Sequence, residues 1–232
     1  MTAGMRSVLV PALVIALGTT VLPLAGCKIV PNDQRASTTE SSSPAAQATF
    51  DAAAYVDGVW DKKLLPHFET KAVDALKVIA AIKKDPDEAG KEYGNRADAE
   101  GSPWSFPVRA KGKVVSVNTE SRAGTMVVEI DGKDSGGAKQ EVTLQIGPVV
   151  KGSAIRDSLP FFSFTDVTNQ IEYAQVGRAF NERAMKALAD VLPKLTQAGA
   201  SIEFFGAISV TSVPETFVVT PVAIKILGGG AS

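Results

Sequence analysis

Two hydrophobic periods divide the chain. Between Phe50 and Gly94 apolar residues recur at helical steps, and from Trp104 onward they alternate. Asp51 reads as an N-cap, with Phe50 placed to staple onto Tyr55 one turn in. This first helix carries Tyr55, Val56, Val59, Trp60 and Leu64 and is expected to end near Pro66, which has no amide donor. A second helix follows, with Phe68, Ala72, Leu76 and Ile79 on one face, and stops near Asp85, because the residue before Pro86 is pushed out of helical geometry. Asp85-Pro86-Asp87-Glu88 then opens a short third helix with a cap, Pro at N1 and Glu at N3, which Gly94 closes. Residues 49–100 are expected to form a small helical lobe.

Alternation in the second part predicts strands. Phe106, Val108 and Ala110 share one parity, while Val115 and Val117 take the other. A β-bulge at Gly112 would explain the switch and bend the first strand. Met126, Val128 and Ile130 mark a second strand, the polar tract 131–140 a hairpin loop, and Val142, Leu144 and Ile146 a third strand. A long helix is predicted from about Gln170 to Leu192, with Tyr173, Val176, Phe180, Ala184, Ala187 and Val191 inward and Arg178, Glu182, Lys186 and Asp190 wet. Asp166 or Thr168 is expected to cap it. Two strands follow, one through Ile202, Phe204, Ile208 and Val210, the other through Val218, Thr220, Val222, Ile224 and Ile226. Pro221 favours an edge or bulge in the last. The fold class is α+β. Three strands, a helix and two strands fit an OB-like five-stranded β-barrel over residues 101–232, with its helix between strands three and four. The alternative is an open α+β sheet with the helix on one face.

The amino terminus adds an address. Arg6 precedes the apolar run Val8–Val21, which leads to Leu24-Ala25-Gly26-Cys27. A basic start, a short apolar stretch and small residues before a cut mark a secretory signal over residues 1–26. The run is shorter than the ~20 residues a membrane span needs. Leu-Ala-Gly-Cys matches the bacterial lipobox, which implies diacylglycerol on the Cys27 sulfur, cleavage before it and acylation of the new amino terminus. Cys27 is also the sole cysteine, and lipidation explains why one would stand in an oxidising compartment. Residues 27–48, rich in Ser, Thr, Ala and Pro, are expected to be a flexible tether. Lys28 stands where enteric sorting rules place Asp for inner-membrane retention, so resemblance to those rules points to the outer membrane, facing the periplasm.

Composition narrows the chemistry. Residues 1–26 hold one basic residue and no acid, so their removal leaves a formal charge of −2. That gives no electrostatic case for nucleic acid. A single histidine, His67, leaves no Cys/His cluster for zinc; a Ser-His-Asp triad would have to use it, and no Gly-x-Ser-x-Gly elbow is present. The tract Gly147–Ser153 (GPVVKGS) departs from a phosphate loop, since Lys151 precedes the second glycine and Pro148 offers no amide. Arg156, Asp157, Asp166, Asn169 and Glu172 form the densest polar group in the folded region. As a ligand or partner site, Arg156 would supply a planar fork for a carboxylate, phosphate or hydroxyls. As structure, Arg156 would pair with an acid. Asp157 and Asp166 are the carboxylates to inspect for glycoside hydrolysis. Trp60 and Trp104 could stack on sugar rings, but both sit where core packing calls for an aromatic. No cofactor is expected and no enzyme.

The tracts QIGPVVKGSAIRD (residues 145–157) and FTDVTNQIEY (residues 164–173) carry a resemblance to the predicted periplasmic lipoproteins grouped as domain of unknown function 2291. Val59-Trp60, Leu64-Leu65-Pro66, Tyr93-Gly94 and Thr220-Pro221-Val222 add lesser matches. The resemblance implies a helical lobe with an OB-like barrel and no established activity. By association with sugar ABC-transporter components, it implies a role near solute uptake. The partners it implies are the membrane, through lipid on Cys27, and transporter components or a small solute.

Overall fold

The computed structural model describes residues 50–96, 101–134, 136–196 and 198–228. The signal segment, Cys27 and the tether lie outside these residues. Asp51 caps α1 (Ala52–Val59), its Oδ1 accepting from the Ala54 amide at 2.9 Å, and the Phe50 and Tyr55 rings meet at 5.9 Å. The helix does not end at Pro66. It widens into a π-helical segment, Trp60–Leu64, in which the Leu65 amide reaches back to the Trp60 carbonyl, and then continues as α2 (Leu65–Lys71). A wider turn relieves the clash that a proline ring makes with the preceding turn, so the chain passes through the proline. The expected second helix is also interrupted. Ala72 is extended, and β1 (Val73–Asp74) pairs in parallel with Val108 and Arg109 before Asp74 caps α3 (Ala75–Lys84). Phe68 and Ala72 therefore precede that helix. Asp85 caps α4 (Pro86–Tyr93) through the Asp87 and Glu88 amides, and Gly94 closes it.

β2 (Asn95–Arg96) pairs with the start of β3 (Trp104–Asn118). β4 (Thr125–Ile130), β5 (Glu141–Gln145), β6 (Ser201–Val210) and β7 (Val218–Gly228) complete the sheet. The pairings run β3–β4–β5–β7–β6 and return from β6 to β3, so five strands close on themselves, with β5 and β7 parallel. This is the expected OB-like order, with the long helix between β5 and β6. The bulge in β3 lies between Val114 and Ser116, not at Gly112. Gly112 keeps the inward parity of Ala110 and Val114, and a Cβ there would stand 2.3 Å from the Glu129 carbonyl oxygen. Pro221 does sit at a register shift against Gly206. Val218 and Ile226, expected inward, are exposed, while Val219 is buried.

The barrel interior packs Phe106, Met126, Leu144 and Phe204, joined by Ile79 and Ile82 of α3. A second core lies outside the barrel. Trp60, Leu64 and Phe68 meet Phe180 of α6 (Gln170–Leu188) over Ala207 and Val222 on the outer side of β6 and β7. One helix serves both cores, since Leu188 at the end of α6 belongs to the barrel. Leu188 takes the inward place expected of Ala187, which is exposed, while Val191, half-buried just beyond the helix end, packs against the barrel core as expected. No described helix is long and apolar enough to cross a membrane.

Candidate functional site

Between β5 and α6 the chain makes a turn, the single-turn helix α5 (Ala154–Asp157), and an aromatic connector, Phe161-Phe162-Ser163-Phe164. The turn is held by amides. Gln145 Nε2 donates to the Lys151 carbonyl at 3.1 Å, its Oε1 accepts from the Lys151 amide at 2.8 Å, and Asn181 Nδ2 donates to the Gly152 carbonyl at 2.9 Å. Gly147 lies against the Arg122–Gly124 backbone, where a Cβ would stand 2.1 Å from the Gly124 nitrogen. The GPVVKGS tract is thus a clamped turn with close backbone approach.

α5 projects Arg156 and Asp157 into a cavity of about 900 Å³ between this connector, β2 and α6. Phe162, Phe164 and Tyr173 form its aromatic wall. Arg156 lies flat over Tyr173, 3.7 Å from the ring centroid. Phe162 stacks on Tyr173 at 5.7 Å, and Phe164 meets it edge-on at 5.5 Å. The Arg156 Nε and Nη2 both reach Asp157 Oδ1 at 2.7 Å, and Nη1 donates to the Tyr173 carbonyl at 2.9 Å. Asp157 Oδ2 accepts from Ser153 Oγ at 2.6 Å, and the Asp157 carbonyl accepts from Asn95 Nδ2 at 2.8 Å. Both charged side chains are close to nine-tenths buried, at 11% and 13% exposed. At that depth an unpaired charge would be costly, so each accounts for the other.

The remaining sequence candidates go elsewhere. Asp166 closes a capping box on Ser163 in the 3-10 turn Phe164–Asp166, with the Ser163 amide donating to it at 2.7 Å. The cap of α6 is Asn169, neither Asp166 nor Thr168; its Oδ1 accepts from the Ile171 and Glu172 amides, and Glu172 in turn accepts from the Thr168 amide. A short polar side chain directly before the first helical residue reaches N2 and N3, which Asp166 is too far back to do. Asn169 and Glu172 line a separate cleft against Phe50 and Asp51. Arg156 and Asp157 therefore share one site, which Asp166, Asn169 and Glu172 do not line. Trp60 is buried in the outer core, and Trp104 packs against Gly90 with its indole N–H on Asp87 at 2.8 Å. Neither tryptophan lines the cavity.

Sequence reasoning missed the aromatic wall and the β2 contribution of Asn95 and Arg96. Three phenylalanines within four connector residues were the available signal for the wall. Arg96 stacks on Trp104 at 4.7 Å and stands 3.8 Å from Asp87. His67 lies outside the cavity, its ring edge-on to Phe68 and Phe161 with Nε2 buried and without a hydrogen bond.

A family model described as "Predicted periplasmic lipoprotein (DUF2291)" matches residues 17–225. No curated protein matches the chain. Among solved structures, the chain is similar to a crystal structure of an OB-fold protein from Thermotoga maritima, at 14% identity and a TM-score of 0.61, covering 76% of this chain and 98% of that one. That likeness shows the fold.

Proposed function

We propose, for a chain that belongs to the family of predicted periplasmic lipoproteins designated DUF2291, that it is a non-catalytic, lipid-anchored envelope protein that binds a small solute as an accessory of a sugar ABC-transport system. The observation that carries this reading is the cavity beside Tyr173, whose volume suits a small molecule. Its aromatic wall offers faces on which the C–H side of a sugar ring stacks, and Gln170 offers an amide beside the Ser163 and Thr165 hydroxyls, which bond each other at 2.7 Å. The link to sugar uptake comes from the family's association with transporter components. Lipid on Cys27 supplies the anchor, and Lys28 favours the outer membrane.

How the acids are used supports the non-catalytic reading. Asp157 is neutralised by Arg156, and Asp166 is committed to its capping box. Glycoside hydrolysis needs two carboxylates facing each other across a substrate, and only Asp157 of this pair lines the cavity.

Titration calorimetry of the full mature chain against a panel of mono- and disaccharides tests the reading. Saturable binding that Phe164→Ala weakens by about ten-fold, the worth of one stacking contact, is expected. No saturable heat with any sugar at millimolar concentration would defeat it. A second reading, a structural envelope protein without a ligand, is favoured by the internal spending of the Arg156 hydrogen bonds.

A further inference from the structure

The segment that walls the cavity has a second neighbour. Leu159, Pro160, Phe162, Ser163, Phe164 and Thr165 line the cavity, and Phe161 alone among residues 159–165 does not. Phe161 meets instead the His67 imidazole of α2, edge-on with 6.2 Å between centroids, and Phe68 covers the imidazole from another side at 5.8 Å. The Ser158 backbone supplies the hydrogen bond of the ring, and Nε2 is buried without a partner. Phe162, one residue on, stacks on Tyr173 and is buried in the outer core with Leu159. A displacement of Phe161 therefore displaces the cavity wall. Little else ties this segment down. The Leu159 amide reaches the Arg156 carbonyl, the Phe162 amide reaches the Leu159 carbonyl at 3.4 Å, and Ser163 bonds to Thr165 and Asp166. Among the described residues, none of α1, α2 or the sheet hydrogen-bonds to residues 159–166. Packing and local bonds hold it, as in the elements that open first in a folded protein. The charges nearby do not favour an imidazolium. Lys71, one turn on in α2, opposes a second positive charge, and Lys63, one turn before, stands 5.6 Å from the Phe161 ring centroid. Asp61 and Glu69, the acids of these two helical segments, are exposed, and Asp157 is taken by Arg156 and Ser153.

We propose that His67 is a pH-responsive latch on the cavity: while its imidazole is neutral the connector stays closed over it and holds Phe162 on Tyr173, and when the imidazole takes a proton the connector lifts and the wall is lost. The reason is hydrogen-bond accounting. A neutral imidazole has one N–H, which the Ser158 backbone satisfies. An imidazolium has two. The second lies at Nε2, where Phe68 and Phe161 offer no lone pair. A buried charged donor without an acceptor costs far more than the unpaired neutral nitrogen it replaces. Lifting Phe161 admits water to Nε2 and removes that cost. Burial and Lys71 already oppose the charge in the closed state, which is the direction the latch requires. The coupling is reciprocal: whatever binds the closed wall holds the imidazole neutral. Binding is thus strongest above the His67 titration and is lost as pH falls through it. Histidine is the side chain whose ordinary titration spans neutral to mildly acid pH, and this chain has only one. The inference rests on the cavity being the binding site and adds its regulation.

The single histidine makes the test direct. The full mature chain, carrying Cys27→Ser so that no lipid contributes, is followed by NMR between about pH 7.5 and 5, with no sugar present. The His67 Cε1–H resonance is expected to titrate below its position in the urea-unfolded chain. Nuclear Overhauser contacts between the Phe162 and Tyr173 rings should be lost with the same midpoint, and His67→Gln should keep them throughout. Phe161→Ala, which uncovers Nε2 and leaves the imidazole in place, should return the titration to the unfolded value of about 6.5. Contacts that persist through the His67 titration overturn the proposal. So does their loss in His67→Gln at the wild-type midpoint, which would assign the opening to carboxylates. So does an unchanged midpoint in Phe161→Ala. These readouts need no ligand, so the two readings fail separately. A wall that opens on the His67 titration in a chain that binds no sugar at any pH supports the latch and defeats the sugar reading. Sugar binding equally strong on both sides of the His67 midpoint defeats the latch alone.

Discussion

Arg156 lies flat on the ring of Tyr173 and donates to the backbone carbonyl of that same residue, so one side chain ties α5 to the first turn of α6 twice. Its charge is met by its sequence neighbour Asp157, and the latter is held by Ser153. Arg156→Ala would leave the Asp157 carboxylate nearly buried and unpaired. A loss of about 2–4 kcal/mol of stability is expected, read from urea unfolding of the mature chain. Arg156→Lys should fall between, because an ammonium cannot lie flat on the ring and serve two directions at once. Wild-type stability in Arg156→Ala would mean that the charge is solvated and the tie idle.

Gly112 sits where β3 is flanked by β4 on one side and β6 on the other. A side chain there would drive into the Glu129 carbonyl and Val128. Gly112→Val is expected to cost about 1–3 kcal/mol, measured as a lowered unfolding midpoint. Val115→Thr, at the exposed bulge, should be close to neutral. The reverse order of the two effects would place the special backbone at the bulge.

The barrel was legible because β4 and β5 alternate without interruption and because three strands, a helix and two strands leave few closed arrangements. The bulge was misplaced for a physical reason. A glycine in phase with Ala110 and Val114 adds no hydrophobic signal, so parity looked lost at Gly112 while the backbone slips one turn of the pleat later. Two other boundaries were set by non-local partners. Val73–Asp74 leaves helical geometry to pair with β3, thirty-five residues away in register. Pro66 is absorbed by a π turn that leaves no mark in a residue pattern. The pair Arg156–Asp157 was legible as a polar cluster, but its neighbour Tyr173 read as a core residue of α6. Only the packing of the connector against that helix turns it into a cavity wall.

Anchoring is tested by Cys27→Ala. Growth with radiolabelled palmitate should label the wild-type chain and not the variant. Each buried CH₂ contributes about 0.8 kcal/mol to membrane partition, so the variant should also leave the membrane fraction. Label on the variant would defeat the lipobox reading. Recovery of the wild-type chain only with inner membranes would defeat the outer-membrane part alone.

His67 supplies the pH dependence. Burial holds its pKa below 6.5, opposed by a hydrogen bond with the Ser158 backbone and reinforced by the nearby Lys71 charge. Its Nε2 is buried with no acceptor, and the aromatic neighbours Phe68 and Phe161 offer none. The folded state therefore favours neutral imidazole. The unfolded chain binds a proton near pH 6.5 while the folded one resists. Stability should be full above that value and decline as pH falls from it toward the lowered folded value, below which the contribution is spent. His67→Gln removes the titrating group, so its melting temperature should change less between neutral pH and pH 5.5 than that of the wild type. Carboxylates titrate equally in both proteins over that interval, and the difference between the two curves isolates His67. Parallel curves would show that the imidazole takes its proton in place, through water reaching Nε2, and that its burial has no energetic consequence.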